Sequence, residues 1–337
     1  MGEMVKVALD AMGGDNAPGE IVKGAVEAVQ EKDNVKVFLL GKEDLVKAEL
    51  AKYTYDESRI EVIHTEDVIE MAEAPVNAIR KKKDSSIVKG MAMTKEGKAD
   101  AFVSAGSTGA VLVGGTVLVG RIKGVERAPL APLLPTMNGV VLLIDCGANV
   151  DARPSHLLQF AKMGSIYMES VMGVKNPRVA LVSNGTEEEK GNALVKETHP
   201  LLKDCPDINF IGNIEGRDIP MGAADVVVCE AFTGNAILKT YEGVGAVLIK
   251  KIKGSLMTNL RTKIGALLIK PALKKTLADF DVDKYGGAPL LGLNGLVVKS
   301  HGNSKAVVIK NCIFQCVTFK EQKINEKIKE GLAPVSE

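Results

Sequence analysis

The heptapeptide Ser104-Ala105-Gly106-Ser107-Thr108-Gly109-Ala110 is the most informative stretch of the sequence for the fold. An apolar run at 101–103 precedes it, and a small, apolar, Gly-rich run at 111–120 follows it. This order predicts a buried strand, a tight loop and a helix. Glycine lets another group approach the backbone closely, and the free N–H groups of the helix start favour an anion. The same pattern also fits a turn that only lets strand and helix pack, and the heptapeptide alone leaves both interpretations open.

Apolar, strand-like runs alternate with helical patterns along most of the chain. This alternation predicts an α/β fold with a largely parallel sheet. We expect strands at 5–9, 36–40, 60–64, 101–104, 140–144, 178–182 and 226–229. We expect helices at 20–30, 43–52, 85–96, 108–120, 154–172, 188–202 and 234–250, with a last helix from about 304 to 329. Asp15 or Asn16 is the expected cap of the first helix.

The predicted strands share a feature, since Gly, Asn, Asp or Thr follows most of them. In open α/β sheets the ligand crevice lies outside the carboxyl ends of the strands. We therefore expect these loops to converge on one cleft. Two segments also resemble each other weakly, because Thr108-Gly109 and Thr233-Gly234 each follow an aspartate by eight residues. They would form two facing walls of the cleft.

Composition narrows the class of protein. The net charge of +1, the 4% aromatic content and the absence of Trp argue against a nucleic-acid partner. Five cysteines without a CxxC pair, and four scattered histidines, give no support for a metal site and fit a reducing compartment. No signal peptide or membrane-spanning run is evident in the sequence. We therefore expect a cytoplasmic protein.

The stretch at about 245–280 departs from this pattern, because no acidic residue occurs between Glu242 and Asp279. It predicts a basic amphipathic helix pair, bent at Gly254 and Pro271, that projects from a single domain spanning 1–337. Such a pair can lie on an anionic membrane or dock on an acidic protein. A packed helix with a solvated basic face, or a dimer contact, is the alternative. The expected contact residues are Leu256, Met257, Leu260, Arg261, Ile264 and Leu268.

Six motifs together resemble the bacterial phosphate acyltransferases of phospholipid synthesis, the PlsX family. The resemblance extends from about residue 6 to residue 332, and the motifs occur in the expected order. Besides the heptapeptide, they are Val7-Ala8-Leu9-Asp10-Ala11-Met12-Gly13-Gly14-Asp15-Asn16-Ala17-Pro18, Asp145-Cys146-Gly147-Ala148-Asn149, Asn184-Gly185-Thr186-Glu187-Glu188-Glu189-Lys190-Gly191, Glu230-Ala231-Phe232-Thr233-Gly234-Asn235 and Tyr285-Gly286-Gly287-Ala288-Pro289-Leu290-Leu291-Gly292.

The resemblance implies a reaction in which acyl-(acyl carrier protein) and inorganic phosphate give acyl phosphate and free carrier protein. It implies a three-layer α/β/α fold similar to phosphotransacetylase and isopropylmalate dehydrogenase, without a cofactor. It also implies a homodimer that associates peripherally with the inner face of the cell membrane. A membrane glycerol-3-phosphate acyltransferase would use the product.

This chemistry needs positioning and oxyanion stabilisation rather than a strong base, because phosphate is already an anion and a thiol is a good leaving group. With the resemblance in view, Lys190 is the expected catalytic cation and Asn235 the expected donor to the thioester oxygen. The alternatives are a solvated lysine and a helix cap. Arg153 would bind phosphate or the phosphopantetheine of the carrier, or equally form a structural ion pair. His156 is more typical of a structural histidine than of a catalytic base. The expected substrate-binding residues are Asp10, Gly13, Gly14, Ser104, Gly106, Ser107, Thr108, Gly109, Asn149, Arg153, Thr233 and Gly234.

Three other functions remain open at this point. A phosphotransacetylase would use coenzyme A and short acyl groups. A nucleotide-dependent dehydrogenase of similar fold is disfavoured, since Gly13-Gly14 lacks the third glycine of GxGxxG. A membrane-surface scaffold would depend only on the basic helix pair.

Overall fold

The alternating sequence produces two mostly parallel β-sheets in the computed structural model, which describes residues 3–333 apart from the side chain of Asp279. The first sheet has the strand order β10-β11-β4-β1-β2-β3, and only the β10–β11 pair is antiparallel. Its strands are β1 (Val5–Asp10), β2 (Val35–Gly41), β3 (Ile60–His64), β4 (Ala101–Ser104), β10 (Ala288–Leu290) and β11 (Leu296–Lys299).

The second sheet has the order β5-β6-β9-β7-β8, and only the β5–β6 pair is antiparallel. Its strands are β5 (Leu133–Thr136), β6 (Gly139–Ile144), β7 (Arg178–Val182), β8 (Asn209–Ile214) and β9 (Val226–Val228). The segment 129–132 joins the antiparallel edges of the two sheets. Leu130 bridges to Leu290 in β10, and the Leu143 N–H of β6 donates to the Pro132 carbonyl.

Helices cover both faces of the sheets. They are α1 (Gly19–Glu31), α2 (Glu43–Leu50), α3 (Pro75–Lys81), α4 (Ser86–Lys95), α5 (Thr108–Gly114), α6 (Pro154–Ser170), α7 (Ala193–Lys203), α8 (Ala231–Leu256), α9 (Leu260–Asp279), α10 (Ala306–Glu321) and α11 (Ile324–Gly331). A π-helical turn, Gly115–Val119, continues α5 without a break.

Successive side chains of a strand point to opposite faces of its sheet, so each sheet has a core on both faces. Val7 and Leu9 of β1 point to a core that α1, α6 and α10 cover, while Ala8 points to a second core under α4 and α5. A third, smaller core lies between the other face of the second sheet and α8. The expected α/β fold with helices on both faces is therefore confirmed, although its strands form two sheets.

Several predicted boundaries are wrong for local physical reasons. Neither Asp15 nor Asn16 caps α1, which has no side-chain cap. The Asn16 amide instead donates to the Asn303 and Ser304 carbonyls of the β11–α10 loop. Pro18 stands at the N-cap position. The expected last helix is divided into α10 and α11, because Lys323 adopts a left-handed conformation between them.

The basic stretch forms the expected helix pair, with different breaks. Gly254 lies in the last turn of α8, and α9 continues through Pro271. The pair instead separates just before α9, where Asn259 caps the new helix by accepting from Thr262 N–H at 3.0 Å. Within residues 3–333, no helix combines the length and apolar character required to span a bilayer.

Candidate active site

Asp10 joins the loops that follow β1 and β4. Its buried carboxylate accepts hydrogen bonds from Ser86 Oγ at 2.6 Å, Ser104 Oγ at 2.7 Å and Met12 N–H at 3.1 Å. Burial raises the pKa of Asp10, and these donors partly offset that effect. The predicted residues Asp10 and Ser104 are thus in direct contact. The carboxylate is buried and links the two loops, and it does not face solvent.

The glycines of these loops allow the backbones to meet. A Cβ on Gly13 would lie 2.3 Å from Asp10 Oδ2 and 2.7 Å from Gly106 N. Gly14 has a φ of +95°, and a Cβ there would lie 2.8 Å from the Gly302 carbonyl. The three predicted glycines 13, 14 and 106 therefore let the β1, β4 and β11 loops pack against one another. Their contact with a substrate stays a prediction.

The start of α5 lies directly beyond this loop junction. Ser107 is the N-cap, and its buried Oγ accepts from Ala110 N–H at 3.4 Å. Thr108, the first helical residue, is exposed. Gly109 packs on α3, because a Cβ there would lie 2.4 Å from Pro75 Cγ. The positive end of α5 is therefore open to solvent at Thr108.

A second group of loops follows β6 and β9. The buried Asp145 carboxylate accepts from the N–H groups of Leu130, Gly147 and Ala148, and from both the N–H and the side-chain amide of Asn149 at 2.8 Å. Burial raises the pKa of Asp145 against the effect of these donors. The Asn149 amide also donates to the Ala128 carbonyl at 3.0 Å. Asn149 therefore fixes its own loop.

The start of α8 packs against this Asp145 loop. Glu230 caps the helix by accepting from the N–H and hydroxyl of Thr233. A Cβ on Gly234 would lie 1.9 Å from the Asp145 carbonyl oxygen, so only glycine fits there. Asn235, one residue further on, is exposed. The tight packing of Gly234 thus sets the position from which Asn235 faces solvent.

The two helix starts differ in charge. A carboxylate already occupies the N-terminus of α8, whereas a neutral serine hydroxyl caps α5. A permanently charged anion is therefore favoured more strongly at α5 than at α8. The α8 start suits a neutral hydrogen-bond acceptor, for which the Asn235 amide is a suitable donor.

Lys190 lies in the exposed loop between β7 and α7. Its backbone N–H donates to the Glu187 carbonyl at 3.1 Å, and its side chain runs beside Gly185. Among the described residues, its ammonium forms no ion pair and no hydrogen bond. Its place between the two walls stays a prediction.

Arg153 and His156 lie at the start of α6. Arg153 is exposed, and its N–H donates to His156 Nδ1 at 3.1 Å. His156 Nε2 lies 3.1 Å from Glu126 Oε2, which places the proton of the neutral ring on Nε2. Burial lowers the pKa of His156. Both ring nitrogens thus have a hydrogen-bond partner. His156 caps its helix instead of serving as a base.

One residue that sequence reasoning missed lies beneath the first loop group. Lys299 ends β11, pairs in register with Ser104 and is 8% exposed. The signal for it was a lysine that closes an apolar run just before Ser300-His301-Gly302-Asn303.

Four of the five thiols are unsuited to nucleophilic catalysis. Cys146, Cys229, Cys312 and Cys316 are buried, and burial raises the pKa of each, to about 12 for Cys312. They are therefore protonated at neutral pH. Within the described part of the chain, no group of three or more His, Cys, Asp and Glu residues has the arrangement of a metal site.

Comparisons with known proteins agree with this architecture. A family model described as "Fatty acid synthesis protein" matches residues 5–327. The phosphate acyltransferase of Clostridium novyi (strain NT) is 51% identical over 328 residues, which cover 97% of this chain and 98% of that protein. The phosphate acyltransferase of Alkaliphilus oremlandii (strain OhILAs) is 49% identical over 333 residues and 99% of each chain.

Solved structures extend the comparison to the fold. A phosphotransacetylase from Streptococcus pyogenes superposes with a TM-score of 0.61 at 18% identity, and EutD phosphotransacetylase from Staphylococcus aureus with 0.59 at 20%. Each alignment covers 94% of both chains. The expected likeness to the phosphotransacetylase fold is therefore confirmed.

Proposed function

The chain belongs to the phosphate acyltransferase family and transfers an acyl group to phosphate in lipid synthesis, and from this premise we propose its donor, mechanism and location. The donor is a fatty acyl thioester of acyl carrier protein, and the product is acyl phosphate for phosphatidic acid synthesis. Phosphate attacks the thioester directly. The observation that carries this mechanism is the pair of helix starts with exposed Thr108 and Asn235, whose nearby thiols, Cys146 and Cys229, are buried and protonated.

Phosphate binds at the start of α5. Its negative charge interacts with the open N-terminus at Ser107 and Thr108, where the capping group is an uncharged hydroxyl. The Gly13–Gly106 contact and the Asp10 hydrogen bonds hold this loop in one conformation. A preorganised loop stabilises a bound nucleophile without reorganisation during the reaction.

The thioester carbonyl faces the start of α8. A phosphate oxygen forms a bond to the carbonyl carbon, and the resulting oxyanion accepts from the Asn235 amide and the Lys190 ammonium. The C–S bond then breaks, and the carrier thiol leaves as a thiolate that takes a proton from solvent. No cofactor enters these steps.

Acyl phosphate formation tests this proposal. The protein is incubated with acyl carrier protein thioester and phosphate, and the product is trapped as a hydroxamate with hydroxylamine. We expect hydroxamate well above a heat-killed control; its absence would overturn the proposal. Activity on acetyl-CoA with none on long-chain carrier thioesters would instead indicate a phosphotransacetylase.

Two substitutions test the assigned roles. Lys190→Ala and Asn235→Ala should each lower kcat by about 100-fold, the effect typical of losing one oxyanion donor. Lys196→Ala and Thr240→Ala are matched controls, because both side chains are exposed and lie on α7 and α8. Near-wild-type turnover in both test variants would refute the assignment.

The helix pair α8–α9 binds the inner face of the cell membrane. Leu260 and Leu268 are 75% and 76% exposed, and lysines and arginine surround them without a nearby acid. Apolar side chains insert at the acyl boundary while the basic side chains interact with anionic lipid. This location would pass acyl phosphate to a membrane glycerol-3-phosphate acyltransferase. The protein is a cytoplasmic, peripheral homodimer in this account.

A liposome assay separates the possible roles of the helix pair. Leu260→Glu with Ile264→Glu should weaken sedimentation with anionic vesicles. The control is Leu45→Glu with Leu201→Glu, which introduces the same charge at exposed leucines of α2 and α7. Unchanged vesicle binding would refute lipid contact. In that case, a change in the mass measured by sedimentation equilibrium would identify a dimer contact. A change in KM for the carrier thioester would identify a carrier contact.

A further inference from the structure

Lys299 is a buried cation at the carboxyl edge of the first sheet. It ends β11 beside Ser104 and is 8% exposed. Its Nζ donates to the Ala105 carbonyl at 3.4 Å and to the Ser300 carbonyl. Both acceptors belong to the loops that surround the start of α5. The ammonium therefore lies directly under the proposed phosphate loop.

In the described part of the chain, this ammonium has no carboxylate as a direct ion-pair partner. Over residues 3–333, Lys299 forms no ion pair within 4.0 Å. Asp10 lies on β1, on the far side of β4, and its oxygens already accept from Ser86, Ser104 and Met12. A buried charge whose described hydrogen-bond partners are two neutral carbonyls is costly, and a bound anion would offset part of this cost.

The surroundings of Lys299 show that the charge is poorly compensated. Burial lowers its pKa to about 8, although Asp10, Asp15 and the Cys312 thiol act in the opposite direction. Lys239 on α8 lowers it further. An anion bound in the loop would favour the protonated form and raise this pKa.

We propose that Lys299 is a positioning residue for phosphate: its ammonium holds the Ala105 and Ser300 carbonyls and places a positive charge beneath the loop. The inference rests on the proposed placement of phosphate at the α5 start. The ammonium orients the backbone from which the loop N–H groups project. It also creates the positive potential that favours a dianion over a neutral ligand.

Substitution by methionine removes the charge and keeps a similar length. In Lys299→Met, we expect KM for phosphate to rise by about tenfold or more, as for a lost charged hydrogen-bonding group, while KM for the acyl thioester changes less than about twofold. KM does not depend on the folded fraction, so partial misfolding does not mimic this result. Lys310→Met on α10, whose lysine pairs with Glu31 at the surface, is the control and should leave both values unchanged.

Two further measurements distinguish positioning from a structural role. The phosphate-free Lys299→Met protein should melt at the wild-type temperature or above it, because an uncompensated buried charge is removed. Phosphate should raise the melting temperature of the wild type and not that of the variant. Wild-type KM for phosphate should also rise between about pH 7.5 and 9, as Lys299 loses its proton, and this rise should be absent in the variant.

Thr108→Val separates the failure of this inference from that of the phosphate placement. If KM for phosphate rises in Thr108→Val but not in Lys299→Met, the role of Lys299 is refuted and the placement stands. If it rises in neither, the placement is refuted and the inference with it.

Discussion

Gly234→Ala perturbs the contact that places Asn235. The new Cβ would lie 1.9 Å from the Asp145 carbonyl oxygen and 3.0 Å from Cys229 Sγ. Neither neighbour can rotate away, since the first is backbone and the second is buried. The start of α8 and the Asp145 loop must therefore separate by about 1.1 Å to restore even a 3.0 Å contact.

The expected cost follows from overpacking. Inserting a methyl group into a packed contact typically costs about 1–3 kcal/mol. The lower unfolded-state entropy of alanine offsets about 0.4–1 kcal/mol of this cost. We therefore expect the free energy of unfolding in urea to fall by about 1–2 kcal/mol. Because a displacement of about 1 Å can reduce turnover by about 100-fold, kcat in the hydroxamate assay should fall by a similar factor.

Gly243→Ala on the same helix is the matched control. Apart from its chain neighbours and the adjacent backbone of α8, no atom of the described residues lies within 4 Å of its ideal Cβ, so it should be neutral or stabilise by up to about 1 kcal/mol. Its turnover should remain that of the wild type. Equal stability and turnover of the two variants would refute the argument that the Gly234 contact positions the site.

Two other predictions concern the residues that support the site. Because burial lowers the pKa of His156, the folded state binds fewer protons than the unfolded state, and stability should fall as pH drops below about 6.5. His156→Asn should lessen the difference in urea midpoint between about pH 5.5 and 7.5; an unchanged difference would contradict this. Asn149→Ala should reduce the free energy of unfolding by about 1–3 kcal/mol, since the Ala128 carbonyl and one Asp145 contact lose their donor. A urea midpoint equal to that of the wild type would contradict this role.

The regular parts of the fold were predictable from sequence. The bounds of β3, β4 and β7 agree with expectation, because each is a short apolar run between turn residues. Four strands were not expected, namely β5, β8, β10 and β11. Two of them, β5 and β10, contain Pro135 and Pro289, and proline argues against a strand unless it lies at an edge. Both are edge strands, a property that only the tertiary arrangement reveals.

The site was predictable to a smaller extent. The structure brings Asp10 to Ser104, and the Asn149 loop to the start of α8, at the carboxyl ends of the strands. The convergence of all these loops on one cleft stays a prediction. The rule that loops meet at the carboxyl ends of strands did not show that the side chains of Asp10 and Asn149 form hydrogen bonds within the protein, because hydrogen-bond partners depend on local geometry. Lys299 was not predicted as a site residue because a lysine at a strand end is usually solvated. Its burial results from packing under two loops.

The central claim is that phosphate attacks the thioester directly. Intact-protein mass spectrometry, with thiol release followed in parallel, tests it when the enzyme is mixed with acyl carrier protein thioester in the absence of phosphate. We predict an unmodified protein mass and no thiol release until phosphate is added. Stoichiometric thiol release without phosphate, with a protein mass increased by one acyl group, would contradict the account.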